Sequence, residues 1–122
     1  MIIWDEYQLR KVDEIKVAKP VLAVKLRRDK VVVVMLRQVN MYNLAALEFE
    51  GDLKTVENPT GIVALNSTLD TFVLAVLSSH SSNTVFIQML NKDRVQREIV
   101  CHRRPIAQIC LNLDGRFLAS CS

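Results

Sequence analysis

Little in this chain points to catalysis or to nucleic acid. Only 3 glycines occur among 122 residues, too few for the Gly-rich loops that cradle phosphates on backbone amides. The two histidines, His80 and His102, lack metal-ligand spacing to another His, Cys or carboxylate. Ser78-Ser79-His80-Ser81-Ser82 reads as a polar turn between strands, since no base or oxyanion arrangement accompanies it. No enzyme activity, metal or cofactor is therefore expected. Aromatic residues make up 6% and do not interleave with basic ones, so the stacking platform of nucleic-acid binders is missing. The balance of 16 Lys plus Arg against 13 Asp plus Glu leaves a formal charge of +3, too mild to imply a nucleic-acid partner by itself. No apolar run of about 18 residues and no leader-like N-terminus occur, so a cytoplasmic protein is expected. The 3 cysteines, Cys101, Cys110 and Cys121, are odd in number and without C-x-x-C spacing. They are expected to be buried free thiols.

What the chain has is a repeat. Residues 20–34, 61–76 and 105–120 each run as an apolar strand, a polar turn with an aspartate and a second apolar strand. The turn aspartates are Asp29, Asp70 and Asp114, spaced 41 and 44 residues apart. Repeats of about 40 to 45 residues with four strands each mark WD-type β-propeller blades. The intervening text supplies further strands: Val39–Leu44 and Leu47–Glu50 after the first hairpin, Thr84–Leu90 and Val95–Val100 after the second. At the N-terminus, Ile2-Ile3-Trp4-Asp5 and Glu14-Ile15-Lys16-Val17 read as a third and a fourth strand. A helix over residues 43–56 competes, because Leu44, Leu47 and Phe49 would share a face.

The expected fold is all-β, a partial WD-type propeller of two full four-stranded blades flanked by two half blades. The blades divide as 1–18, 19–51, 52–100 and 101–122. Because closure of the ring is what protects propeller edges, this strand count predicts a fragment of a larger propeller, an open arc with a sticky edge. A complete small β-sandwich is the rival architecture, in which the repeat phase would be coincidence.

Three stretches carry a family resemblance. Residues 21–34 followed by Val39-x-Met41-Tyr42-Asn43-Leu44, then Asn58-Pro59-Thr60-Gly61-Ile62-Val63-Ala64-Leu65, then His102-x-x-Pro105-Ile106-Ala107 with Leu111-Asn112 and Leu118-Ala119-Ser120-x-Ser122, resemble the PROPPINs in order. These are seven-bladed propellers that bind phosphoinositides. The resemblance implies that the chain covers the end of the second blade, the third and fourth, and half of the fifth. It also implies an adaptor of autophagosome formation and endolysosomal traffic that recognises phosphatidylinositol 3-phosphate and the 3,5-bisphosphate. Such an adaptor would be cytoplasmic and peripheral on phagophore or endolysosomal membranes, with autophagy scaffold proteins as partners. A WD-type scaffold that binds only protein is the alternative.

By this likeness His102 and Ser122 are phosphoinositide-binding residues, and Arg103 and Arg104 are auxiliary basic residues, although the family more often has small or polar residues there. A phosphomonoester, doubly charged and rich in acceptors, suits cations and hydroxyl donors. The structural alternative for His102 is an ordinary blade-turn histidine bonded to backbone. Arg27, Arg28 and Lys30 lie in a hairpin turn, where solvated charge is the default, and are a candidate partner surface. The Arg-Arg-Gly run of the family's lipid motif lies beyond Ser122; lacking its charge-assisted bonds, worth about 1.5 to 3 kcal/mol each, the chain alone is expected to bind lipid weakly.

Overall fold

The computed structural model describes residues 1–5, 10–68, 71–90 and 94–122. Among these residues twelve strands follow one another in order. β1 (Ile2–Asp5) and β2 (Arg10–Glu14) form a two-stranded sheet. β3 (Ala23–Leu26), β4 (Lys30–Val34), β5 (Gln38–Asn43) and β6 (Phe49–Lys54) form the first four-stranded sheet. β7 (Val63–Leu65), β8 (Val73–Leu77), β9 (Thr84–Leu90) and β10 (Arg94–Val100) form the second, and β11 (Gln108–Leu111) and β12 (Leu118–Cys121) a final pair. Within each sheet neighbours in sequence are neighbours in space, and every pairing is antiparallel. This is a meander repeated from sheet to sheet, the blade architecture that the repeat implies.

The valine run explains the stacking. In a strand, successive side chains point to opposite faces, and Val31, Val32, Val33 and Val34 are all at most 1% exposed. Val31 and Val33 pack with Ile15 and Tyr42 toward the β1–β2 pair, while Val32 and Val34 join Met41, Val63, Phe72, Leu74 and Val76 in the layer shared with the second sheet. In that sheet Val73, Ala75 and Leu77 turn the other way, toward Ile106 and Ile109 of the last pair. A strand covered on both faces must be apolar at every position, not at alternate ones.

Two strands sit differently from their sequence-based limits. The strand expected at 14–17 is Arg10–Glu14, and Ile15 instead packs into the core, its N–H donating to Met1 O at 2.8 Å. The strand expected at 47–50 is Phe49–Lys54. The helix considered over 43–56 does not form. Asn43 Oδ1 accepts the Ala45 and Ala46 amides at 2.9 and 3.2 Å, and Leu47 takes φ 53°, a left-handed turn conformation that ends the local helical path. Leu69 and Asp70, read as the second hairpin turn, lie outside the described residues.

Hydrophobic layers attract without direction; the hairpin turns fix how the sheets register. Arg27, only 6% exposed, forks onto Asp29 through Nε at 2.5 Å and Nη2 at 3.2 Å. Its Nη1 crosses to the second sheet, donating to Asn66 Oδ1 at 2.9 Å and Thr71 O at 2.7 Å. The guanidinium also lies over the Phe72 ring at 5.3 Å. The next junction is built the same way. Ser67 and Thr68 amides donate to Leu113 O at 3.1 and 3.0 Å, and Thr71 Oγ1 donates to Asp114 O at 3.1 Å. Gly115 fits there at φ +73°, where a Cβ would stand 2.7 Å from Val73 Cγ2 and 3.1 Å from Asn66 Cβ.

Gly115→Ala is therefore expected to destabilise the chain by roughly 2 to 4 kcal/mol, combining left-handed strain with overpacking, as read by urea denaturation; a loss below half of that means the turn relaxes. Arg27→Ala removes a buried, packed side chain together with its charge-assisted bonds to Asn66 and Thr71 and is expected to cost about 2 to 3 kcal/mol, with Arg27→Lys intermediate because the fork is lost. Burial pushes the Asp29 carboxyl up, but its hydrogen bond and ion pair with Arg27, its backbone bond and the Lys30 charge outweigh this and hold it below the ordinary value of 3.8. Its contribution is thus fully present above that ordinary value and is lost as pH falls through the lower folded one. Asp29→Asn should flatten the acid limb of the stability curve; an unchanged limb would show that the pair contributes nothing.

Candidate functional site

The candidate residues lie where the chain passes from β10 to β11. Two backbone bonds hold this entry against the turn between β8 and β9: the Cys101 amide to Asn83 O at 3.0 Å and the Ile106 amide to Ser82 O at 2.8 Å. Pro105 fixes φ just before the buried Ile106 anchor. Between these anchors Arg103 and Arg104 are exposed and have no ion-pair partner among the described residues.

His102 is half-buried, with Nε2 2.9 Å from Ser120 Oγ on β12. Ser122 stands exposed just past the end of that strand. The hydroxyl brought to the histidine is thus that of Ser120, a residue the sequence reading passed over. The signal was the spacing in Ser120-Cys121-Ser122, since residues two apart share a side of a strand. His102 has an internal partner, and that partner is a side chain where an ordinary blade-turn histidine would bond to backbone. The exposed guanidinium groups of Arg103 and Arg104 are the free cations of this entry.

The hairpin cluster departs from expectation. Arg27 is buried and committed to Asp29, Asn66 and Thr71, so it is no part of a free surface. Lys30 Nζ is taken by Glu50, at 2.5 and 2.7 Å from its two carboxylate oxygens, and lies 5.9 Å from the Phe72 ring centroid. Of the three, Arg28 is the one left exposed. A local charge run reads as solvated until a partner distant in sequence is known, and Asn66 is 39 residues away.

The cysteines are free, as expected, but not buried: Cys101 is half-buried and Cys110 and Cys121 are exposed. Cys110 faces opposite its buried neighbour Ile109, and Cys121, paired with Gln108 across the hairpin, shares the Cys110 side. Ser78 is fully buried; its Oγ donates to Glu98 and accepts the His80 amide, both at 3.1 Å, a turn cap. Among the described residues no group of three His, Cys, Asp or Glu side chains is placed to hold a metal, and no helix is long and apolar enough to cross a membrane.

No family model matches the chain. Individual relatives do. Autophagy-related protein 18e of Arabidopsis thaliana is 30% identical over 122 residues, all of this chain and 32% of that protein. Autophagy-related protein 18b of the same plant is 31% identical over 107 residues, 88% of this chain and 29% of the relative. The chain is homologous to a part of the Atg18 proteins. It spans about a third of the length of these relatives. Among solved structures, Kluyveromyces marxianus Hsv2, a PROPPIN β-propeller, superposes at TM-score 0.79 and 23% identity over 99% of this chain and 37% of its own. Kluyveromyces lactis Hsv2 gives 0.76 at 18% identity, covering 99% and 38%. The fold of this Atg18 homologue is therefore that of a propeller segment, and the sandwich alternative falls.

The His102–Ser120 bond is open to a double-mutant cycle. His102→Ala, Ser120→Ala and the double variant are expected to show a coupling of about 0.5 to 1.5 kcal/mol in urea denaturation; additive losses would remove the bond.

Proposed function

We propose that this chain is a segment of a non-enzymatic, phosphoinositide-binding WD-repeat adaptor. The adaptor acts in autophagosome formation and endolysosomal traffic, cytoplasmic and peripheral on phagophore or endolysosomal membranes. The observation that carries the reading is the homology to Atg18 proteins over the whole chain. The chemistry of the β10–β11 entry supports it. Arg103 and Arg104 offer two unpaired guanidinium groups, which pair with phosphate through forked, charge-assisted bonds. His102 stands beside them, and Ser122 supplies an exposed hydroxyl just past the end of β12. In this reading His102 and Ser122 face one phosphate of phosphatidylinositol 3-phosphate or the 3,5-bisphosphate, and the two arginines add to the field around it. Autophagy scaffold proteins are the proposed protein partners; a structurally similar propeller, Atg21 of Kluyveromyces lactis, has been solved with the coiled coil of Atg16.

One observation favours a second reading, a WD-type scaffold that binds only protein. His102 already has a partner in Ser120, so the fold gives it a structural use without any lipid. A chain of the mitotic checkpoint complex shares the architecture at TM-score 0.66, and the fold by itself does not choose a ligand.

Liposome flotation with and without phosphatidylinositol 3-phosphate separates the two. The isolated chain and a chimera carrying it in place of the aligned third of the Arabidopsis 18b relative are compared. The chimera should float only with the lipid, and the Arg103→Glu, Arg104→Glu double variant should weaken binding about tenfold, the value of one charge-assisted contact. The isolated chain should float weakly. A chimera that ignores the lipid while the unaltered relative binds it leaves the protein-only reading.

A further inference from the structure

A cleft of about 410 Å³ opens at the junction of the two four-stranded sheets, away from the His102 entry. Its walls are Pro20, Leu22, Leu36 and Pro59, and two cations, Lys19 and Arg37, stand at its rim. Leu22 and Leu36 are each 42% exposed.

The walls are held by backbone and not by loose side chains. The Leu22 amide donates to Val34 O at 2.8 Å, and the Met35 amide donates to Gln38 O at 2.8 Å, closing the turn that carries Leu36 and Arg37. From the other side the Asn58 amide donates to Leu36 O at 2.7 Å and the Thr55 amide to Arg37 O at 3.0 Å. Asn58, fully buried, clamps its own turn with Oδ1 on the Ile62 amide at 2.8 Å and Nδ2 on Ile62 O at 2.9 Å. Gly61, at φ +70°, lets that turn close on the first sheet, where a Cβ would stand 3.0 Å from Ala23 Cβ. Two of the walls are prolines, whose φ is fixed. Little ordering is therefore left for an occupant to impose.

The charge at the rim decides what fits. Lys19 is exposed and has no ion-pair partner among the described residues. Arg37 meets Glu57 at 2.5 Å, with both side chains more than 60% exposed, a surface pair worth little and readily exchanged. We infer that this cleft docks a short peptide segment of a protein partner, one bulky apolar side chain filling the walls and a neighbouring carboxylate pairing with Lys19 and Arg37. Apolar walls around a cleft favour a side chain entering from outside over a bilayer, which receives protruding residues. The inference deepens the adaptor part of the proposed function and rests on it, but not on the lipid site.

A random peptide library on phage, selected on the chain and counter-selected on Leu36→Asp, provides the test. Sequencing should return peptides with Leu, Ile or Phe beside Asp or Glu. In fluorescence anisotropy, synthetic copies should bind Leu36→Asp about tenfold more weakly, and Lys19→Glu about two- to fivefold more weakly. A peptide whose acid is changed to lysine should regain affinity for Lys19→Glu. If Leu36→Asp fails to fold, Leu22→Ser replaces it, with circular dichroism as the control. Absence of enrichment, or selected peptides that bind the variants as well as the parent, overturns the inference. So does dependence of anionic-vesicle binding, and not peptide binding, on Leu22 and Leu36, which would make the face a membrane contact. A chain that passes lipid flotation and fails here keeps the lipid reading and loses this one.

Discussion

The guanidinium of Arg27 is the point on which the relation between the two four-stranded sheets turns. A buried cation is tolerated only when its donors are matched, and Arg27 meets that demand by crossing from its own hairpin to Asn66 and Thr71 of the next. The apolar layer of Val32, Val34, Leu74 and Val76 attracts the sheets but would accept many angles and offsets. The fork of Arg27 does not, because its donors lie in one plane at fixed spacing. At the other end of the strands, the Asn58 amide holds Leu36 O of the first sheet while its side chain clamps Ile62 at the entry to β7, tying the same two sheets again. Two directional contacts at opposite ends of a slippery layer leave one arrangement, and the cleft inherits its geometry from it.

Much of the fold was legible because a blade writes itself into sequence at short range. Val31 to Val34 form an uninterrupted apolar run since both faces of β4 are covered, and residues 73–77 repeat the device. The turns that separate the strands are polar and recur at a nearly constant interval. What escaped was set by contacts over distance. The charge of Arg27 reads as solvated locally, and its burial follows only from Asn66. Leu47 looked like a strand or helix residue, yet it packs beside Tyr42 from a left-handed turn, which moves the following strand on to Phe49–Lys54. Ile15 likewise is apolar because it fills the layer under Val31 and Val33, not because it belongs to a strand.

The candidate site was legible as a locality but not as a geometry. His102, Arg103, Arg104 and Pro105 are contiguous, so any fold would keep them together. Which serine meets the histidine depends on the hairpin register, in which Ser120 pairs with Ile109. A resemblance in motif aligned Ser122 with a ligand hydroxyl; in the fold Ser120 occupies the imidazole first. The two roles are compatible, since Nε2 can hold Ser120 while Nδ1 remains for another partner.

Repetition itself explains how such uses diverge. Arg27, Asn66 and Asn112 occupy one structural slot, the first residue after the inner strand of successive sheets, and each donates its amide across its own hairpin, to Lys30, Val73 and Phe117. At Asn66 and Asn112 the side-chain oxygen then accepts the amide returned from the same hairpin, at 2.8 and 2.9 Å. Arginine carries no acceptor and cannot close its own turn in that way. At Arg27 the tight four-residue turn needs no such cap, which frees the side chain to bridge outward, and Asn66 accepts from both directions at once. One slot thus closes hairpins in two repeats and joins blades in a third. A propeller can specialise a single junction or entry without disturbing the meander, because each repeat carries its own local closure and only a few residues speak to the neighbour.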